Sequence, residues 1–282
     1  MADECYSTGQ VRELIALLSG ASDAVDLDRA ALALARIEHP GLDPRPFLSL
    51  LDSYAVELAG RLAGGHNGQE YVAEANAFLF DEVGFHGNTA DYYDPRNSCL
   101  NDVLTERAGI PITLSLVYME IARRLAKPVY GIGMPGHFLV QYDDGAFSTY
   151  IDAFHGGALL SPADCFRVAR QMSGAEVASD PGLLQPVSKR QIATRMLNNL
   201  RNVYFTRQAH AKASEVMELV IAANPANADE YRNRAAVRVH LRQFAGARED
   251  LETYLRLAPA AADRAAVEEQ LLKIRRYMAG FN

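Results

Sequence analysis

The sequence predicts an α+β chain that is mostly helical, and three observations predict it. Apolar residues recur at helical spacing through residues 8–82 and again from about residue 190 onward. Between these stretches, residues 129–152 break into short β-rich runs separated by turn residues. Pro225 and Pro259, each closing a helical run, stand 34 residues apart, which marks a helical repeat. The expected layout is a helical N-terminal part (1–90), a core of one central helix on a small antiparallel sheet (91–186) and C-terminal helical hairpins (187–282).

Taken in order, Val11, Leu14, Ile15, Leu17 and Leu18 form a first helical stripe. Leu27, Ala31, Leu32, Leu34, Ala35 and Ile37 form a second, ending at Pro40-Gly41. Leu48 to Leu62 is a third, and Gly64-Gly65-His66-Asn67-Gly68 breaks it. Val72 to Phe85 is a fourth, stopped at Gly84. Leu100 to Arg107 reads as a short helix ending at Gly109. Pro111 then opens a nearly all-apolar helix through Leu125, which places that helix at the centre of its domain. Residues 129–133, 137–142 and 149–152 read as a meander, with Pro135-Gly136 and Asp143-Asp144-Gly145 as its turns. Ser161-Pro162-Ala163-Asp164 starts another helix, and residues 173–186 read as a loop. Beyond it, residues 213–220 and 247–254 are matching acidic and apolar helices one period apart. That period is the tetratricopeptide repeat's, with Leu200, Tyr204 and Ala235 at packing positions and residues 263–277 as the polar cap.

Composition narrows the function classes. The chain has 282 residues, 49% apolar and 22% charged, the balance of a globular protein of about two domains. No apolar run of about 18 residues is present, so no membrane span is expected. The start, Met1-Ala2-Asp3-Glu4-Cys5, lacks the basic and apolar regions of a secretory signal. With 28 basic and 35 acidic residues, the net charge of −7 argues against nucleic-acid binding. Cys5, Cys99 and Cys165 are odd in number and widely spaced, so they suggest neither a disulfide framework nor a zinc site. A reducing, cytoplasmic setting is expected, with Cys5 a terminal thiol and Cys165 a packed one. The acidic pairs Glu249-Asp250 and Glu268-Glu269 read as solvated helix faces.

The segment that can carry chemistry runs from Asn97 to Gly157. His137 begins one strand of the meander and Asp152 ends the next, which can set an imidazole beside a carboxylate. The helix start at residues 111–113 offers free N–H groups, the usual place for a nucleophile and an oxyanion. The pattern suits acyl transfer by nucleophile, His and Asp. The nearest hydroxyls are Thr113 and Ser115, with capping or back-bonding as the competing role. Cys99 is a third candidate, reaching His137 only through the fold. Asn97, Asn101 and Arg107 are candidate binding residues, with loop carbonyls and carboxylates as their competing partners. His155 is a second polar group near Asp152 or an exposed loop residue, and His66 and His86 read as turn or surface residues. No metal is expected, because no helix carries ligand spacing, and no cofactor is expected.

Four strings carry a resemblance: Phe85-His86-Gly87-Asn88, Tyr92-Tyr93-Asp94-Pro95-Arg96-Asn97-Ser98, Gly109-Ile110-Pro111-Ile112-Thr113-Leu114-Ser115 and Pro135-Gly136-His137-Phe138. The chain resembles the transglutaminase-like superfamily, in the SirB-type branch that adds C-terminal tetratricopeptide repeats. The resemblance implies a Cys–His–Asp set, and His137 and Asp152 match its last two members. The cysteine belongs about twelve residues before the helix arginine, and counting back from Arg123 reaches Pro111. The resemblance therefore implies a degenerate member acting as an interaction scaffold or regulator, with a protein or peptide partner on the repeats. The alternative is a hydrolase or acyltransferase on peptide or amide bonds with Thr113, Ser115 or Cys99 as nucleophile, His137 as base and Asp152 as its orienting partner.

Overall fold

The computed structural model describes residues 9–20 and 26–280, and Cys5 lies outside them. Apolar periodicity sets the N-terminal helices: α1 (Gly9–Ser19), α2 (Leu27–Ala35) and α3 (Arg45–Arg61). The Ala- and Leu-rich α2 is buried at every position except Arg29. Asn67 and Glu70 form a reciprocal capping box that starts α4 (Gly68–Asn76). The sequence predicts one helix to Phe85, but the chain widens to a π-helical stretch at Ala77–Glu82 before Gly84 turns it out at φ +84°. Such a widening leaves the apolar pattern intact, so periodicity alone does not reveal it.

Residues 86–160 carry the central helix and both sheets. β1 (His86–Gly87) pairs in parallel with β2 (Ala108–Gly109), and α5 (Leu100–Glu106) lies between them. α6 (Pro111–Arg124) is buried on nearly all faces through Ala122, as its composition requires. It packs on an antiparallel sheet of order β3 (Val129–Met134), β4 (His137–Asp143), β5 (Ser148–Asp152) and β6 (Ala158–Leu160). Strand alternation divides the packing. Phe138, Val140, Tyr142 and Ile151 join the main core, whereas Ile132, Met134 and Leu139 meet Cys165, Phe166 and Ala169 of α7 (Pro162–Ser173). β6 escapes the sequence reading because three residues are too few to show alternation.

The C-terminal hairpins are α8 (Lys189–Thr206) with α9 (His210–Ala223) and α10 (Ala228–His240) with α11 (Phe244–Leu257), followed by α12 (Arg264–Ala279). The repeat extends to the backbone of the turns. Gln208 and Arg242, one period apart, both take left-handed φ, at 56° and 58°. The next N–H in each turn returns to a carbonyl five residues back, Ala209 to Tyr204 and Gln243 to Arg238, both at 2.8 Å. The first hairpin is part of the main core through Leu200, Tyr204, Ala213 and Val216. The second hairpin and α12 have a core of their own, around Ala235, Ala247, Leu251, Tyr254 and Leu271. Among the described residues no helix is long and apolar enough to cross a membrane.

Candidate functional site

The β3–β4 hairpin and the β5 end build the centre of the site. Met134 pairs with His137 across a tight turn in which Gly136 has φ +68°. A Cβ at Gly136 would meet the Ser173 nitrogen at 2.6 Å, so only glycine fits both the turn and the neighbour. That turn fixes His137 at the start of β4, where its side chain is 1% exposed. Asp152 closes β5, also 1% exposed. His137 Nε2 lies 2.9 Å from Asp152 Oδ2. A carboxylate only accepts, so Nε2 carries the proton and Nδ1 faces away from Asp152. His137 Nδ1 is buried and has no hydrogen-bond partner.

Asp152 is a fully occupied acceptor. Oδ2 also accepts from His155 Nδ1 at 2.8 Å, and Oδ1 accepts the backbone N–H groups of Phe154 and His155 at 3.1 and 3.3 Å. Burial pushes the Asp152 carboxyl up, but the hydrogen bonds and charges of His137 and His155 outweigh burial and leave it below its ordinary value. His155 belongs to this centre although its side chain is half exposed. Its sequence signal was a position three residues after Asp152 on a Gly-terminated turn.

His137 lines a cleft of about 1220 Å³ between the core and α8. Pro111 and Ile112, the first turn of α6, form one wall, and Phe138 and Met172 add apolar surface. The opposite wall is the polar face of α8: Thr194, Arg195, Asn198, Asn199 and Asn202. Arg195 Nη2 donates to the carbonyls of Met134 at 2.6 Å and His137 at 2.7 Å, so α8 braces the β3–β4 turn. Burial pulls the Arg195 guanidinium below its ordinary value. Sequence reasoning missed Arg195 because its helix reads as the opening of a repeat array. The visible signal was a run of polar side chains on one face of an otherwise apolar helix.

The other candidates lie elsewhere. Thr113 Oγ1 is fully buried, donates to the Asn97 carbonyl at 2.8 Å and accepts the Ile110 N–H at 3.2 Å. Ser115 Oγ is buried without a partner and outside the cleft lining. Cys99 Sγ donates to the Pro95 carbonyl at 3.5 Å, and burial pushes its thiol well above the ordinary value. Asn97 staples its loop, donating to the carbonyls of Asp91 and Tyr92 at 2.7 and 3.2 Å and accepting from Asn88 at 3.0 Å. Asn101 donates to Asp102 at 3.1 Å, and Arg107 ends α5 in the left-handed region beside Tyr54. None of these six lines the cleft with His137.

Two clusters bring three metal-capable donor atoms within 4.8 Å of one another: His39, Cys99 and Asp102, and His137, Asp152 and His155. Each draws on more than one element or on a non-helical turn, which helical ligand spacing does not register. In each, a histidine nitrogen is already hydrogen-bonded to the carboxylate, at 2.7 Å for His39 and 2.9 Å for His137.

A helix start and the histidine of a desolvated His–Asp pair on one cleft, behind a helical lead-in and ahead of paired helices, define a transglutaminase-like core joined to tetratricopeptide hairpins. The chain belongs to the transglutaminase-like superfamily, whose profile matches residues 46–198, and a tetratricopeptide-repeat profile matches residues 200–272. A UPF0162 protein of Xylella fastidiosa (strain 9a5c) is 35% identical over 243 residues, 84% of this chain and 86% of that one. A UPF0162 protein of Pseudomonas aeruginosa is 28% identical over 245 residues, 87% of this chain and 89% of the relative. Mouse F-box only protein 21 is 34% identical over 142 residues, 47% of this chain and 22% of that protein. Among solved structures, menin crystallised to reveal its binding site for Mixed Lineage Leukemia protein gives a TM-score of 0.40 at 11% identity, covering 88% of this chain and 70% of that one. A likeness of that size carries no argument.

Proposed function

We propose that this SirB-type chain is a transglutaminase-like protein that binds a protein or peptide without covalent chemistry, as a scaffold or regulator in the cytoplasm. One observation carries the reading. Pro111 stands at the helix start on the cleft, and Cys99, Thr113 and Ser115 are all absent from the cleft lining. A prolyl ring has no nucleophilic atom and no N–H. Each of the three candidates is fully buried, and Thr113 and Cys99 also hold hydrogen bonds to carbonyls. His137, held by its hydrogen bond to Asp152, then serves as a desolvated polar element in the wall of a binding cleft. The buried free thiols Cys99 and Cys165 support a reducing compartment.

The alternative, acyl transfer by Thr113, Ser115 or Cys99, requires that side chain to leave its place and reach His137. Incubation with glutamine-containing peptides and a fluorescent primary amine separates the two. The binding reading expects no incorporation above a His137→Ala control. Incorporation that falls in that variant would overturn it.

A further inference from the structure

The cleft is charged in one sense. Arg190 and Arg195 line it, and among the described residues no aspartate or glutamate does, on a chain of net charge −7. Arg195 is ordered by two carbonyls through Nη2, while Nε and Nη1 have no hydrogen-bond partner and no carboxylate pairs with it among the described residues. A half-buried guanidinium held in place but not neutralised favours an incoming anion, above all a planar carboxylate. On the opposite wall, Pro111 and Ile112 bring the start of α6, the positive end of its dipole, to the cleft. His137 adds an independent mark of a ligand: its imidazole is 1% exposed, lines the cleft and leaves Nδ1 unpartnered.

The α8 wall indicates what carries the carboxylate. Asn198, Asn199 and Asn202 line the cleft, and their amides have no hydrogen-bond partner among the described residues. A side-chain amide both donates and accepts, as a peptide group does. From Arg195 to Asn202 the helix rises about 10 Å, the span of about three extended residues. At about 1220 Å³ the cleft exceeds the roughly 300–1,000 Å³ of a small-molecule pocket.

We propose that the cleft captures the free C-terminal end of an extended peptide, with the α-carboxylate on Arg195 and the last residues laid along Asn198, Asn199 and Asn202. This rests on the binding reading above and adds the chemistry of the ligand to it.

The test uses the full-length protein and short, N-terminally labelled peptides randomised at their last positions. One pool carries free C-terminal acids, the other C-terminal amides. Fluorescence anisotropy is expected to show the acid pool binding about tenfold or more tighter than the amide pool. Arg195→Met is expected to abolish the difference. Because Arg195 also braces a turn, Thr194→Asp serves as the second variant. Thr194 is exposed on the same wall, and a carboxylate there is expected to weaken the acid pool selectively at unchanged melting temperature. Equal binding of both pools would overturn carboxylate capture and leave peptide binding standing. If neither pool binds but sodium succinate raises the melting temperature of the wild type and not of Thr194→Asp, the carboxylate comes from a small molecule and the peptide assignment falls. If nothing binds, the peptide-binding reading falls with it.

Discussion

Asp152 is the residue on which the site turns. Its two oxygens take four hydrogen bonds, two from imidazoles and two from backbone N–H groups. Its carboxyl sits below its ordinary value, so the folded state binds fewer protons than the unfolded state through the carboxylate range. The stabilisation is therefore complete above that range and drains away as pH falls through it. Asp152→Asn is expected to cost about 1–3 kcal/mol near neutral pH, and the gap to wild type should narrow below about pH 4. Urea titrations of both proteins across that range check it. His137 and Asp152 were legible because a strand start and a strand end in a meander meet in space. His155 was only half legible, since an exposed loop histidine has the same local sequence.

At the scale of elements, the central helix is held by charge as well as by apolar contact. Glu120 on α6 is 2% exposed and lies among Asp28 of α2 and the guanidinium groups of Arg123 and Arg124. Burial and the Asp28 charge push its carboxyl up to about 7, against the Arg123 hydrogen bond. Here the folded state holds the proton more tightly than the unfolded one. The contribution is full below the ordinary value of 4.5 and is lost as pH rises toward 7. Wild type is expected to lose stability relative to Glu120→Gln over that interval, as melting temperatures at matched pH would record. Gly136→Ala acts on the β3–β4 turn, where φ is +68° and Ser173 blocks a Cβ. It is expected to cost about 1–3 kcal/mol by urea denaturation. The central helix and the long strands were legible from periodicity and turn residues. The two-residue parallel pairing of β1 and β2 was not, because pairs that short leave no pattern in the chain.

Across the whole molecule, the packing separates the second hairpin from the rest. The first hairpin shares the core of α1, α2 and α6, whereas α10 to α12 pack around their own residues. A repeat that touches its neighbour on one side opens before a unit packed on several. Amides of α11 and α12 are expected to exchange by a lower-energy opening than those of α6. Leu251→Ala should cost about 2–5 kcal/mol locally and lower protection in α10 to α12 while leaving α6 unchanged. The repeat was legible in the proline spacing, but the cleft was not. It lies where the face of α8 meets the start of α6 and the β3–β4 turn, and its lining residues Pro111 and Asn202 stand 91 residues apart in sequence. Local patterns carry no record of such an encounter.

Cys99, Thr113 and Ser115 all stand outside the cleft that His137 lines, and Pro111 occupies the helix start there, so no acyl transfer from these three through His137 is expected. Acylation by p-nitrophenyl acetate, read by intact mass and peptide mapping, tests it most directly. Wild type should show no His137-dependent adduct, and Pro111→Cys should gain a single acyl group at residue 111 that disappears when His137→Ala is added. A His137-dependent adduct on Cys99, Thr113 or Ser115 of the wild type would contradict the account.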